Sequence, residues 1–110
     1  MKYYLVISKM ELEIDTASSE KIIIGIEGKK FETSALREKS QKLLPFIVTT
    51  LRKNKLKVND IKSIKVASGP GSFTGIRVGV SIASALGWVL GVPVNGKDIR
   101  KGESVEINYG

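Results

Sequence analysis

Val66-Ala67-Ser68-Gly69-Pro70-Gly71-Ser72-Phe73-Thr74-Gly75-Ile76-Arg77-Val78-Gly79 reads as the end of a strand, a glycine-proline turn and the first turns of a long apolar helix. The turn needs backbone freedom that glycine supplies at least steric cost. Ser72 or Thr74 can cap the helix by accepting a hydrogen bond from an otherwise unpaired N–H. Small residues then recur at a spacing of four, at Gly75, Gly79, Ala83 and Gly87. Such spacing stacks them along one helix face. The rest of the chain reads as a surface for that element to lie on.

Immediately upstream, Ile64, Val66 and Ser68 alternate with Lys65 and Ala67, a period of two that predicts a strand. The helix is expected from Ser72 to Leu90. Gly91-Val92-Pro93-Val94 ends it and starts a fifth strand, and Asn95-Gly96 is a turn. Lys97 to Glu103 is polar, and the alternation of Val105, Ile107 and Tyr109 predicts one more short strand. Further upstream, Leu43, Leu44, Ile47, Val48 and Leu51 share one face of a helix within Glu38 to Asn54, with Ser40 on the same side. Pro45 either kinks that helix or marks its start. Tyr3 to Ile7 is a β-rich run, either a strand or an extension that pairs with one. Leu12-Glu13-Ile14 leads into a turn at Asp15 to Ser19, and Lys21 to Ile26 is a buried strand. A hairpin turn at Glu27 to Lys30 leads to a more polar strand, Phe31 to Ser34. The order βββαβαβ predicts an α/β lobe: a mixed five-stranded sheet carrying two main helices.

Composition narrows the chemistry. At 110 residues the chain is one domain with one core, and 42% hydrophobic residues suit an ordinary globular protein. Cysteine and histidine are both absent. That excludes disulfides, thiol nucleophiles, histidine general bases and the usual zinc ligand sets. A magnesium site built from carboxylates remains open. Lys and Arg number 18 against 11 acids, a formal charge of +7. Such a balance favours polyanions. Here the lysines are scattered, with clumps at Lys29-Lys30 and Arg52 to Lys57 and few aromatics among them, so any nucleic-acid contact is expected to be weak or indirect. Met1 to Met10 lacks the length and cleavage site of a signal peptide, which predicts a cytoplasmic protein.

The long helix carries one polar stripe, Arg77, Ser81, Ser84 and Trp88. The remaining arc, roughly 200° wide, is apolar or small, about twice what a helix lying on a sheet requires. A second cover is expected, from the first helix, a partner or both. The ridge Gly75, Gly79, Ala83 permits close backbone approach, either inside the fold or at a partner. Membrane insertion is a third reading, since Val78 to Val94 carries no charge, though soluble strands flank it. The turn is not a Walker A loop, because no Gly-Lys-Ser/Thr follows, nor a dinucleotide fingerprint, given Gly69-x-Gly71-x-x-x-Gly75. Asp15 and Thr16, at a strand end, are a weak nucleotide-binding candidate; Asp15 can equally stabilise its own turn.

Three motifs together resemble the TsaB (YeaZ) family: Ile14-Asp15-Thr16-Ala17, Lys39-Ser40-Gln41-Lys42-Leu43-Leu44-Pro45, and Gly69-Pro70-Gly71-Ser72-Phe73-Thr74-Gly75-Ile76-Arg77-Val78-Gly79. The resemblance runs from about Glu11 to Gly96 and keeps the order of elements. It implies the N-terminal lobe of an actin-like ATPase (ribonuclease H-like) fold over residues 1–96, with 97–110 a polar tail. It implies a non-catalytic partner of TsaD, which transfers a threonylcarbamoyl group to make N6-threonylcarbamoyladenosine (t6A) on tRNA. A TsaE-like ATPase is a further implied partner. The implied contact with TsaD uses the two helices, Ser40–Asn54 and Ser72–Leu90, through Ser40, Leu43, Leu44, Ile47, Gly75, Gly79 and Ala83. Gly69, Pro70, Gly71, Ser72, Phe73, Thr74 and Arg77 form the family's motif turn. No metal is expected, and ATP with magnesium only within a complex. The family commonly has histidine where Lys39 stands, and its members usually have a second lobe beyond the fifth strand. Two rivals stand beside this expectation: a nucleotide-binding enzyme using Asp15 and the Gly69–Gly75 turn, and a protein that pairs with its own copy.

Overall fold

Three six-residue strands joined by short loops build the first half of the fold. The computed structural model describes residues 10–35 and 37–110; the strand expected at Tyr3 to Ile7 lies outside them. β1 (Met10–Asp15), β2 (Lys21–Ile26) and β3 (Lys29–Ser34) form an antiparallel meander. The β2–β3 loop is only Glu27-Gly28, with φ of 51° and 83°. Two successive positive φ values give the turn whose twist matches a hairpin.

α1 (Lys39–Lys53) follows, with Pro45 inside it rather than at its start. A short 3-10 turn, Val58–Asp60, then leads into β4 (Ile61–Val66). β4 runs parallel to β1, so the sheet order is β3-β2-β1-β4. α2 (Phe73–Leu90) follows β4. Its N-cap is Ser72, whose Oγ accepts the Gly75 N–H at 3.2 Å, and its C-cap is Gly91 in the left-handed region at φ 68°.

Register explains why both helices lie on one face. Leu12 pairs with Ile26 and Ile64, and Ile14 with Ile24 and Val66. Paired residues share a sheet face. These six are buried with Leu43, Ile47 and Leu51 of α1 and Ile76, Val80 and Ala83 of α2. The opposite face carries Glu11, Glu13, Ser63 and Lys65. Ser63 Oγ donates to Glu11 at 3.1 Å, and Lys30 donates to Glu13 at 2.6 Å. The molecule is therefore two layers, helices over a sheet.

Two expectations at the end of the chain need correction. The sheet has four strands among the described residues, not five. Val94 makes only an isolated parallel bridge to Ile64. Pro93 has no N–H to extend a ladder, and Asn95 and Gly96, at φ 50° and 77°, turn the chain at once. Nor do Val105, Ile107 and Tyr109 form a strand. The β4 edge is already taken: Ile64 donates to Pro93 O, and the Asn95 side chain bonds both the N–H and C=O of Val66 at 2.8 and 3.0 Å. The tail instead crosses to the glycine-proline turn, where Asn108 N–H donates to Ser68 O at 2.8 Å.

Candidate functional site

β1, α1 and α2 converge where the glycine-proline turn meets the end of β1. Gly69 is at φ 117°, and the Asn108 carbonyl occupies the space any side chain there would need. A Cβ on Gly71 would stand 2.7 Å from the Ala17 Cβ, and Ser72 N–H donates to Ala17 O at 2.8 Å. The turn is thus held between the β1–β2 loop and the tail. Pro70 is exposed at its tip.

Asp15 and Thr16 both bond within the fold. Asp15 Oδ1 accepts the Ala17 N–H at 2.9 Å, a local turn bond. Thr16 is fully buried, and its hydroxyl donates to Gly75 O at 2.6 Å. That bond ties the first turn of α2 to the end of β1 and leaves Thr16 no hydroxyl proton for a nucleotide or a metal-bound water. No cluster of three or more metal-ligating side chains occurs among the described residues.

The small-residue ridge also faces inward. Gly75, Gly79 and Ala83 are buried, and a Cβ on Gly79 would collide with the Thr16 hydroxyl. Gly87 lies 2.5 Å, by the same measure, from Val94. The ridge lets α2 sit close on β1 and β4, so it is not an open contact surface. Leu43 and Ile47 are likewise fully buried under α1. Of the seven residues expected at a partner contact, only Ser40 and Leu44 are exposed. The periodicity that identifies an apolar helix face does not say which neighbour covers it, and here the chain covers most of its own.

What stays open is a groove between the two helices. Phe73, Val78 and Ile82 give it an apolar floor, with Ser40, Thr74, Arg77 and Ser81 around them, over a volume of about 430 Å³. Phe73 is 57% exposed, and Leu44 (43%) follows Ser40 one turn along α1. The Arg77 guanidinium lies 5.4 Å from the Phe73 ring centre, and the Tyr109 ring centre lies 5.1 Å from it. Val78 and Ile82 belong to the apolar arc already noted, whereas nothing in the spacing of the tail signals that Tyr109 reaches Phe73.

Lys39 is the other unexpected group. It opens α1 yet is only 8% exposed, and its ammonium donates to Ser18 O. Burial pushes its pKa below the usual lysine value, with the Asp15 charge pulling the other way.

Comparison with known proteins places this architecture. A family model described as "TsaD: tRNA N6-adenosine threonylcarbamoyltransferase" matches residues 32–96. The chain is 33% identical over 66 residues to the tRNA threonylcarbamoyladenosine biosynthesis protein TsaB of Bacillus subtilis, covering 60% of this chain and 29% of that protein. The chain belongs to the TsaB (YeaZ) family. The TsaB of Buchnera aphidicola subsp. Schizaphis graminum is 32% identical over 93 residues, covering 81% of this chain and 44% of its own. YeaZ from Pseudomonas aeruginosa superposes with a TM-score of 0.67 at 26% identity, over 78% of this chain and 42% of that one. This TsaB-family chain thus spans well under two thirds of the relatives it matches. Its mixed sheet with two helices on one face is an actin-like (ribonuclease H-like) lobe, built on four strands.

Proposed function

We propose that this TsaB-family chain serves tRNA threonylcarbamoyladenosine formation as a non-catalytic partner, docking a TsaD-like protein along the α1–α2 groove. The observation that carries the reading is the open apolar floor of Phe73, Val78 and Ile82, beside Leu44, on a chain whose relatives are named for this biosynthesis. Exposed apolar surface lined by a few polar groups suits a protein contact. The reading assigns the chemistry to the partner. Cytoplasmic location accords with that role. A TsaE-like ATPase is a second partner in the same reading.

The interface consists of Ser40, Leu44, Phe73, Arg77, Val78, Ser81 and Ile82, while Leu43, Ile47, Gly75, Gly79 and Ala83 support it from within. The test is co-purification with a TsaD-like protein, together with tRNA modification by the pair. Leu44→Lys combined with Phe73→Asp changes only exposed side chains and should weaken the complex about a hundredfold, as loss of two buried apolar anchors does. Undiminished binding by this folded double variant sinks the groove as the contact. A homodimer that forms alone and also breaks with these changes assigns the groove to a second copy of the chain.

A further inference from the structure

The Asn95-Gly96 turn does two things at once. It reverses the chain, and its carboxamide closes the outer edge of β4. Asn95 Oδ1 accepts the Val66 N–H at 2.8 Å, and Nδ2 donates to the Val66 C=O at 3.0 Å. The Asn95 N–H donates to Ile64 O. Val66 is only 3% exposed, whereas Asn95 and Gly96 lie open to solvent. Gly96 is at φ 77°, and a Cβ there would meet nothing within 4 Å. Its N–H has no acceptor among the described residues.

A carboxamide followed by glycine carries its own reaction. The Gly96 nitrogen, once hydroxide has taken its proton, attacks the Asn95 Cγ. A bond forms between Gly96 N and Asn95 Cγ, the Cγ–Nδ2 bond breaks, and ammonia leaves with a proton supplied by water. The product is a five-membered cyclic imide. Water then opens it at Cγ to give aspartate, or at the main-chain carbonyl to give isoaspartate. In total one water is consumed and one ammonia released, with no oxidant or reductant. A side chain on the following residue crowds the attacking nitrogen, and glycine has none. The remaining asparagines, Asn54, Asn59 and Asn108, precede Lys55, Asp60 and Tyr109.

We infer that Asn95 is a deamidation site, and that its conversion to a carboxylate opens the β4 edge to a second copy of the chain. In the carboxylate form the donor to Val66 C=O is gone. Two oxygens then face each other where the amide made its bond, and a buried carbonyl left without a donor is destabilising. The isoaspartate form also lengthens the main chain by one carbon, out of step with the Asn95–Ile64 bond. Either product releases Val66, and an unpaired edge recruits another strand. The intact clamp acts in the opposite sense. It holds the carboxamide on Val66 and away from the Gly96 nitrogen, so the reaction passes through local opening of the turn. The inference concerns the isolated chain and does not rest on the proposed partner.

The test is ageing of the full chain in mildly alkaline buffer, with and without urea, followed by tryptic mass spectrometry. The peptide 78–97 should gain one mass unit, as NH2 is replaced by OH. Unhindered attack should make that gain about tenfold or more faster than in the peptides carrying Asn54, Asn59 and Asn108. Urea should hasten it by freeing the clamp. The aged chain, separated from fresh chain by its added negative charge, should sediment as a larger species than fresh chain at the same concentration. Asn95→Asp should reproduce that difference. Leu44→Lys with Phe73→Asp should leave it unchanged, because the edge is not the groove. A gain at Asn95 no faster than at the other asparagines, or one that urea leaves unaltered, overturns the inference. So does a deamidated chain that sediments like the fresh one, or a difference that vanishes in the groove variant.

Discussion

Thr16 ties the end of β1 to the first turn of α2 through a single hydroxyl. It spans β1 and α2, and its removal leaves a buried acceptor weakened and the shape unchanged. Thr16→Val should therefore cost about 1–2 kcal/mol, read as a lower urea midpoint at unaltered slope. Gly79→Ala tests the same contact from the other side. Alanine gains up to ~1 kcal/mol of helix propensity, but its methyl meets the Thr16 hydroxyl. Overpacking of about 1–3 kcal/mol should prevail, giving net destabilisation. Lys39 contributes in a different way. Its pKa is lowered by burial in the folded chain, so the unfolded chain keeps that proton to higher pH. The strain of the buried charge is fully present below the folded pKa. It is relieved as pH rises from there to the usual lysine value near ~10.4. Denaturation measured across that alkaline window should show stability rising with pH, and Lys39→Met should flatten the rise. Glu13 behaves oppositely at the acid end. The bond from Lys30 holds its carboxyl below the usual value, so the pair's small contribution is lost as pH falls through the folded pKa. Lys30→Ala should raise the Glu13 pKa in an NMR titration.

At the scale of elements, α2 is fastened at both ends by side chains. Ser72 caps the start. Arg100 reaches back from the 3-10 turn Ile99–Lys101 to the Trp88 and Val89 carbonyls at 2.7 and 3.0 Å. A cation at a helix C-terminus is worth ~0.3–1 kcal/mol, and Arg100→Ala should fray Trp88 to Leu90, seen as faster amide exchange there. Much of α2 is legible in the sequence: its start at Ser72, one of two cap candidates, its end at Gly91 and its polar stripe of Arg77, Ser81, Ser84 and Trp88, of which Ser84 is half-buried, follow from local pattern. Its surroundings are not. A wide apolar arc with a glycine ridge fits a partner and an internal neighbour equally well, and only the Thr16 and Val66 contacts of Gly79 decide for the latter. The fifth strand misled for a related reason. Val92 and Val94 have strand character, but ladder bonds belong to pairs of segments, and the Asn95 side chain takes those that a strand would have used. Lys39 stands out in the sequence only as a departure from a family pattern, because burial of a charge at a helix start leaves no periodic trace.

Over the whole molecule, both sheet edges are guarded. β3 carries Lys29, Lys30 and Glu32, and charges of this kind deter edge pairing. β4 is closed by the Asn95 amide, which stands in for a strand residue. Asn95→Ala should expose the N–H and C=O of Val66 and promote concentration-dependent self-association, visible by sedimentation. Connectivity carries a last consequence, for the order of folding. The β1–β2–β3 meander closes over loops of a few residues, whereas β1 meets β4 only across a separation typified by Glu11 and Ser63, 52 residues apart. Closing distant segments costs chain entropy before their contacts form. The meander is therefore expected to assemble early, and docking of β4 and α2, with the Thr16–Gly75 bond, to come late. Stopped-flow kinetics can tell: substitutions in the Glu27-Gly28 turn should slow refolding, and Thr16→Val should chiefly hasten unfolding.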